Sequence, residues 1–180
     1  MLNLSPQQTR ILLSGCALLT GVLCLLPFAG YDPVTVNYTG LFQASPVRTW
    51  LCMGPALILE TILFLAAAKR RLPSSKYPLP SFFLLVLVIG LMVMPYRKEH
   101  DLSTNVHLIL AFGTLVLLNV LVVRILAVTP KILMFYAAGS LLAFFTALTA
   151  SSINGLSELI YAAVLTAALR AAAEPPVHRN

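Results

Sequence analysis

The stretch Phe82-Phe83-Leu84-Leu85-Val86-Leu87-Val88-Ile89 is apolar on every side. A half-buried or lipid-facing strand alternates apolar and polar residues, and a surface helix keeps a polar stripe. This run does neither. It reads as part of a helix surrounded by hydrocarbon, and runs of the same kind fill most of the 180 residues. Crossing about 30 Å of hydrocarbon takes roughly 20 apolar residues in helix. By that measure the spans fall at about 11–29, 49–68, 80–96, 104–127, 131–149 and 152–172. Composition agrees, with 59% hydrophobic residues and only 10% charged ones. The mean hydropathy is +0.90. Backbone groups in lipid are satisfied only within helices or closed barrels. The expected fold is therefore all-α, a polytopic bundle of about six transmembrane helices forming a single integral membrane domain over residues 1–180.

Orientation follows from the basic residues. With six spans, Arg10, Lys69, Arg70, Arg71, Lys76, Arg124, Lys131, Arg170 and Arg179 fall on one side. Only Arg48, Arg97 and Lys98 fall on the other, together with Asp32, Glu99 and Asp101. Both termini are thus expected to be cytoplasmic, in a multi-pass integral protein whose membrane the sequence does not specify (the plasma or inner membrane if the source is bacterial). The formal net charge of +6 does not point to nucleic acid. Lys69-Arg70-Arg71 directly follows a span, where it anchors topology and meets anionic headgroups. Arg10 and the apolar run after it read as an uncleaved signal anchor, because Pro27-Phe28-Ala29-Gly30 is a poor cleavage site. Cys16, Cys24 and Cys52 form no Cys-x-x-Cys pair and suit small buried apolar side chains.

The longest outer connector runs from Gly30 to Arg48. Tyr31-Asp32-Pro33 opens it as a turn, and Val34 to Thr39 alternates like a short strand. Asn37-Tyr38-Thr39 is a glycosylation triplet, meaningful only in a eukaryotic secretory route. Between the last two spans a few residues around Ser151 to Asn154 predict a tight hairpin. Ala137, Ala138, Gly139, Ser140 and Ala143 would meet Ala162, Ala163, Ala167 and Ala168 across it.

Ionisable residues inside spans are costly, about 2.5–3.5 kcal/mol at mid-span for Asp, Lys or Arg, and so are candidates for function. In the last span Asn154, Ser157, Glu158 and Tyr161 share one helix face. That stripe reads either as the wall of a polar cavity with a catalytic carboxylate or as a hydrogen-bonded seam between helices. His107 opens the fourth span, at a depth like that of Glu158. With Glu158 it forms a candidate proton relay or acid–base pair, and alone it reads as an interfacial histidine. Glu60 is the deepest acid, just beyond Gly54-Pro55, while Arg124 is expected to snorkel to the surface. Three histidines, one of them His178 near the C-terminus, give no metal-ligand set, so no metal and no cofactor are expected. Neither a phosphate-binding glycine loop nor a Gly-x-Ser-x-Gly elbow is present.

Several of these features recur together. They are the turn Tyr31-Asp32-Pro33 after the first span, the polar connector Met94-Pro95-Tyr96-Arg97-Lys98-Glu99-His100, the histidine in Asn105-Val106-His107-Leu108-Ile109-Leu110-Ala111-Phe112, and Ser157-Glu158 with Tyr161 in the last span. In this order the chain resembles the damage-regulated autophagy modulator family and related bacterial six-helix membrane proteins of unknown function. Leu159 stands where members often carry an aromatic, and the connector before the last span is shorter. The resemblance implies a lipid-associated membrane protein, with His107 and Glu158 as the positions carried over. Three expectations follow. The first is a lipid-handling protein with an outward-facing cavity lined by His107, Asn154, Ser157, Glu158 and Tyr161, roofed by the Asp32–Asn37 connector. If it is an enzyme, Glu158 is the base and His107 its proton partner. The second is a non-catalytic subunit of a larger membrane complex, partnered by other membrane proteins as well as lipids. The third is a small ion- or proton-coupled transporter with Glu60 as the coupling site.

Overall fold

A computed structural model of the chain describes residues 5–73, 78–93, 102–150 and 152–175. Lys76, Arg97, Lys98, Glu99, Asp101 and Arg179 from the charge argument lie outside the described residues, as do His100, His178, Ser151 and the stretch 94–100. Seven α-helices appear among the described residues: α1 Pro6–Leu25, α2 Tyr38–Ala44, α3 Pro46–Arg71, α4 Pro78–Val93, α5 Leu102–Leu126, α6 Pro130–Thr149 and α7 Gly155–Ala173. A single 3₁₀ turn, Leu26–Phe28, extends α1.

Local chemistry sets the ends of these helices. Ser5 caps α1 in a capping box with Gln8, and Pro6 occupies the first turn, where its missing N–H costs nothing. Pro46 and Pro130 open α3 and α6 in the same way. At its other end α3 closes on Lys69, Arg70 and Arg71, cations placed at the negative end of the helix dipole. Gly30, at φ +86°, turns the chain where α1 leaves the membrane.

The run Val34–Thr39 is not a strand. The Asp32 carboxylate accepts the Val34 amide at 2.9 Å, and the Asp32 carbonyl accepts the amides of Thr35 and Val36 at 3.1 Å each. The Asn37 side chain then accepts the Gly40 amide at 2.8 Å and starts α2. Local caps thus take the backbone donors that a strand ladder needs.

Five of the helices are long and apolar enough to cross a membrane by length and composition. The 16-residue α4 is shorter, about 24 Å at 1.5 Å per residue. The two ends of the chain determine whether it counts as a crossing. The Arg10 guanidinium donates to the Pro175 carbonyl at 3.2 Å, and Arg71 donates to the Ala172 carbonyl at 3.0 Å. The start of α1, the end of α3 and the end of α7 therefore lie at one end of the bundle. An even number of crossings returns the chain there, which with α4 would make about six. This end also carries Arg10, Lys69, Arg70, Arg71 and Arg170, the pattern expected of a cytoplasmic side.

The packed centre lies between α1, α3 and α7, where Leu13, Leu63, Ala67, Ala68, Leu165, Ala168 and Leu169 are buried. From α5, Val122, Ile125 and Leu126 reach the same cluster. Alanine on facing helices lets backbones approach closely, which in lipid replaces the hydrophobic drive that water would supply. α6 lies along α7 with Gly139 against Val164, where an added Cβ would overlap the valine side chain. Ala143 is buried and Ala168 is fully buried, but Ala163 and Ala167 face away from α6, outside the seam expected for them. Most of the remaining surface is Leu, Val, Ile and Phe turned toward lipid, as at Phe112, Phe144 and Phe145.

Candidate functional site

The polar stripe on α7 separates into two groups once its partners are seen. At the outer end Asn154 is the N-cap, and its side chain accepts the Ser157 amide at 2.8 Å. The Ser157 hydroxyl in turn donates to the Asn154 carbonyl at 2.7 Å and lies 3.3 Å from the Asn154 amide. Both residues are buried, and each side chain is bonded to the other's backbone, which makes a capping box of two residues that the sequence presented only as part of a polar stripe.

Glu158 follows in the first turn of α7, and its Oε2 accepts the amide of Tyr38 at 2.7 Å. That amide is the first of α2, so the carboxylate satisfies a helix N-terminus and opposes its positive dipole end. Around it the outer connector is fastened to α7 by three more bonds. The Asn37 side-chain amide donates to the Ile153 carbonyl at 3.1 Å. The Gly155 and Leu156 amides donate to the carbonyls of Val36 and Pro33, each at 2.9 Å. On its other side the Tyr38 hydroxyl donates to the Cys24 carbonyl at 2.8 Å, and its ring packs on Phe28 with centroids 5.0 Å apart. Burial holds the Tyr38 hydroxyl well above the usual tyrosine range, so it stays a donor. One guanidinium nitrogen of Arg48 faces the carbonyls of Leu26, Pro27 and Ala29 at 2.6, 2.8 and 2.6 Å, which closes the C-terminal end of α1. The same guanidinium lies 5.8 Å from the Tyr31 ring centroid.

The second group lies deeper. Tyr161 accepts from the Asn119 amide at 3.0 Å, Tyr136 donates to the Asn119 carbonyl oxygen at 2.7 Å, and the two tyrosine hydroxyls are 2.9 Å apart. This triangle ties α5, α6 and α7 together. Asn119 and Tyr136 were not singled out in the sequence, where each is an isolated polar residue in an apolar run. Glu60 on α3 accepts the hydroxyl of Thr166 on α7 at 2.8 Å, and its Oε1 is buried with no hydrogen-bond partner among the described residues. Arg124 is exposed in the last turn of α5. The described bonds therefore bring Glu158 to the connector, Asn154 and Ser157 together as the cap of α7, Tyr161 to Asn119 and Tyr136, and Glu60 to Thr166. His107 is half-buried near the start of α5 and has an interaction of its own. Among the described residues no group of three His, Cys, Asp or Glu is placed to hold a metal ion.

A hollow of the surface lies elsewhere, between α1 and α7. It is a groove of about 460 Å³, walled by Leu18 and Val22 on α1 and floored by Gly21, Ala163 and Ala167, with Arg170 at its cytoplasmic end. A smaller hollow of about 110 Å³ continues from it past Cys24 and Leu159 and shares Gly21, Leu25, Ala163 and Thr166. Thr166 thus touches the groove on one side and Glu60 on the other. Sequence reading missed the groove because it is defined by side chains that are not there.

Compared with known proteins, the chain matches no family model, no curated protein and no solved structure. The fold itself defines the class, an α-helical, multi-pass integral membrane protein.

Proposed function

We propose that this is a lipid-binding membrane protein whose α1/α7 groove holds one acyl chain, with the lipid headgroup at the cytoplasmic end. The observation that carries this reading is the groove itself, an apolar channel in the lipid-facing surface that ends on an arginine. Along α1 its walls run from Ala17 to Leu25, about 12 Å of helix axis across the middle of the span. Bulk lipid is as apolar as the groove, so burial alone gives a chain no reason to stay. Close packing against Gly21, Ala163 and Ala167 and a polar anchor at one end supply that reason. Glu158 serves in this reading as the clamp for the connector, and Asn154 with Ser157 as the cap of α7. The implication of lipid association drawn from the family resemblance points the same way.

The test fills the groove. Ala163→Trp places an indole on its floor while leaving the clamp and the arginine cluster untouched. After gentle-detergent purification and mass spectrometry, the natural protein should carry a bound lipid. The Ala163→Trp protein should elute identically and have lost that lipid. Equal lipid in both proteins, or none in the natural one, would contradict the reading.

A further inference from the structure

Resting on that groove reading, we infer that the bound lipid is an anionic phospholipid of the cytoplasmic leaflet, its phosphate held by Arg170 beside Arg10 and Arg71. Arg170 lies about 22 Å along α7 from the outer end of that helix, near the cytoplasmic boundary, and it lines the groove. A chain lying in the groove leads its headgroup to this side chain. Its guanidinium is half-exposed, with Nε donating to the Ser14 hydroxyl at 3.1 Å and Nη2 paired with Glu174 at 2.5 Å. A partly exposed pair of this (i, i+4) kind is weak, so a phosphate can displace the carboxylate.

The neighbours strengthen the charge. Arg71 and Arg10 reach the carbonyls of Ala172 and Pro175 at the end of the same helix. The Arg10 Nε is buried and has no hydrogen-bond partner among the described residues. Lys69 and Arg70 are exposed at the same end, where Glu174 is the acid among the described residues. Arg170 in the groove, with Arg10 and Arg71 at the same end of α7, is complementary to an anionic headgroup on an acyl chain. The planar guanidinium fork suits a phosphate, and basic pockets between helices on the cytoplasmic face bind such headgroups.

The experiment uses the full chain, stripped of native lipid in mild detergent. It is then offered phosphatidylglycerol or phosphatidylcholine with identical chains, and retention is read by native mass spectrometry. Phosphatidylglycerol should be retained about tenfold better, the effect of one to two arginines near the phosphate. Arg170→Gln should bring its retention down to that of phosphatidylcholine, which itself stays unchanged. Lys69→Gln, outside the groove, should leave the preference intact. If Arg170→Gln does not fold, Arg170→Lys keeps the charge without the fork and should retain an intermediate preference. Equal retention of the two lipids, with both lost in Ala163→Trp, would overturn the headgroup assignment and leave the groove reading standing. Retention of neither lipid would overturn both. An undiminished preference in Arg170→Gln, or in Arg170→Lys if that is the variant that folds, would remove Arg170 from the site.

Discussion

Gly155→Val is expected to release the outer connector from the bundle and cost more than the ~1–3 kcal/mol typical of overpacking. A Cβ at Gly155 would run into the ring of Phe28 and the carbonyl oxygen of Val36. Neither can step aside. Phe28 is buried against Tyr38, and the Val36 carbonyl accepts the Gly155 amide itself. Moving that backbone apart breaks the bond that docks the connector, and the neighbouring Leu156–Pro33 bond is strained with it. The measurement is thermal unfolding in detergent together with limited proteolysis between residues 30 and 45. A lower midpoint and new cleavage are expected in that connector. Gly54→Ala is the control, since nothing lies within 4 Å of its added Cβ. A Gly155→Val protein as stable and as protease-resistant as the natural one would contradict the docking described above.

Glu158 gives the second large effect, and it separates clamp from catalyst. Glu158→Leu leaves the Tyr38 amide buried without an acceptor, at an expected cost of about 1–3 kcal/mol, and should loosen the same connector. Glu158→Gln keeps a carbonyl oxygen where Oε2 now sits, so its melting midpoint should stay near that of the natural protein. A general base responds differently, because glutamine cannot take a proton and any turnover is lost however stable the protein remains. The pair of substitutions, read by melting and by connector proteolysis, therefore tests the clamp. Glu158→Leu with unchanged stability would remove it.

The difference between what was legible and what was not follows from range. Helices could be read directly because each span is apolar on all sides, while their first turns at Pro6, Pro46 and Pro130 begin one to five residues before the spans read from hydropathy. The spans were read from the apolar runs and their orientation from Lys and Arg, and the contact of Arg10 with Pro175 brings the two described ends of the chain together. Glu158, Asn154 and Ser157 stood out because polar groups are rare in such a chain. Their roles did not, since the partner of Glu158 is a backbone amide 120 residues away. The strand expected at Val34–Thr39 failed for a related reason. Alternation of side chains records which residues face inward, and a capped turn leading into a helix produces it as well as a ladder does. Asn119, Tyr136 and Thr166 became visible only when three helices brought them to Tyr161 and Glu60.

The most direct test of the central claim, that lipid lies between α1 and α7, is photolabelling in membranes. The protein would be expressed with a photoreactive fatty acid incorporated into cell phospholipid, irradiated, digested and mapped by mass spectrometry. The account predicts label concentrated on residues 17–25 and 163–170, and its disappearance from both in Ala163→Trp. Label spread evenly over the lipid-facing helices, or gathered at the outer connector and residues 154–161, would contradict it.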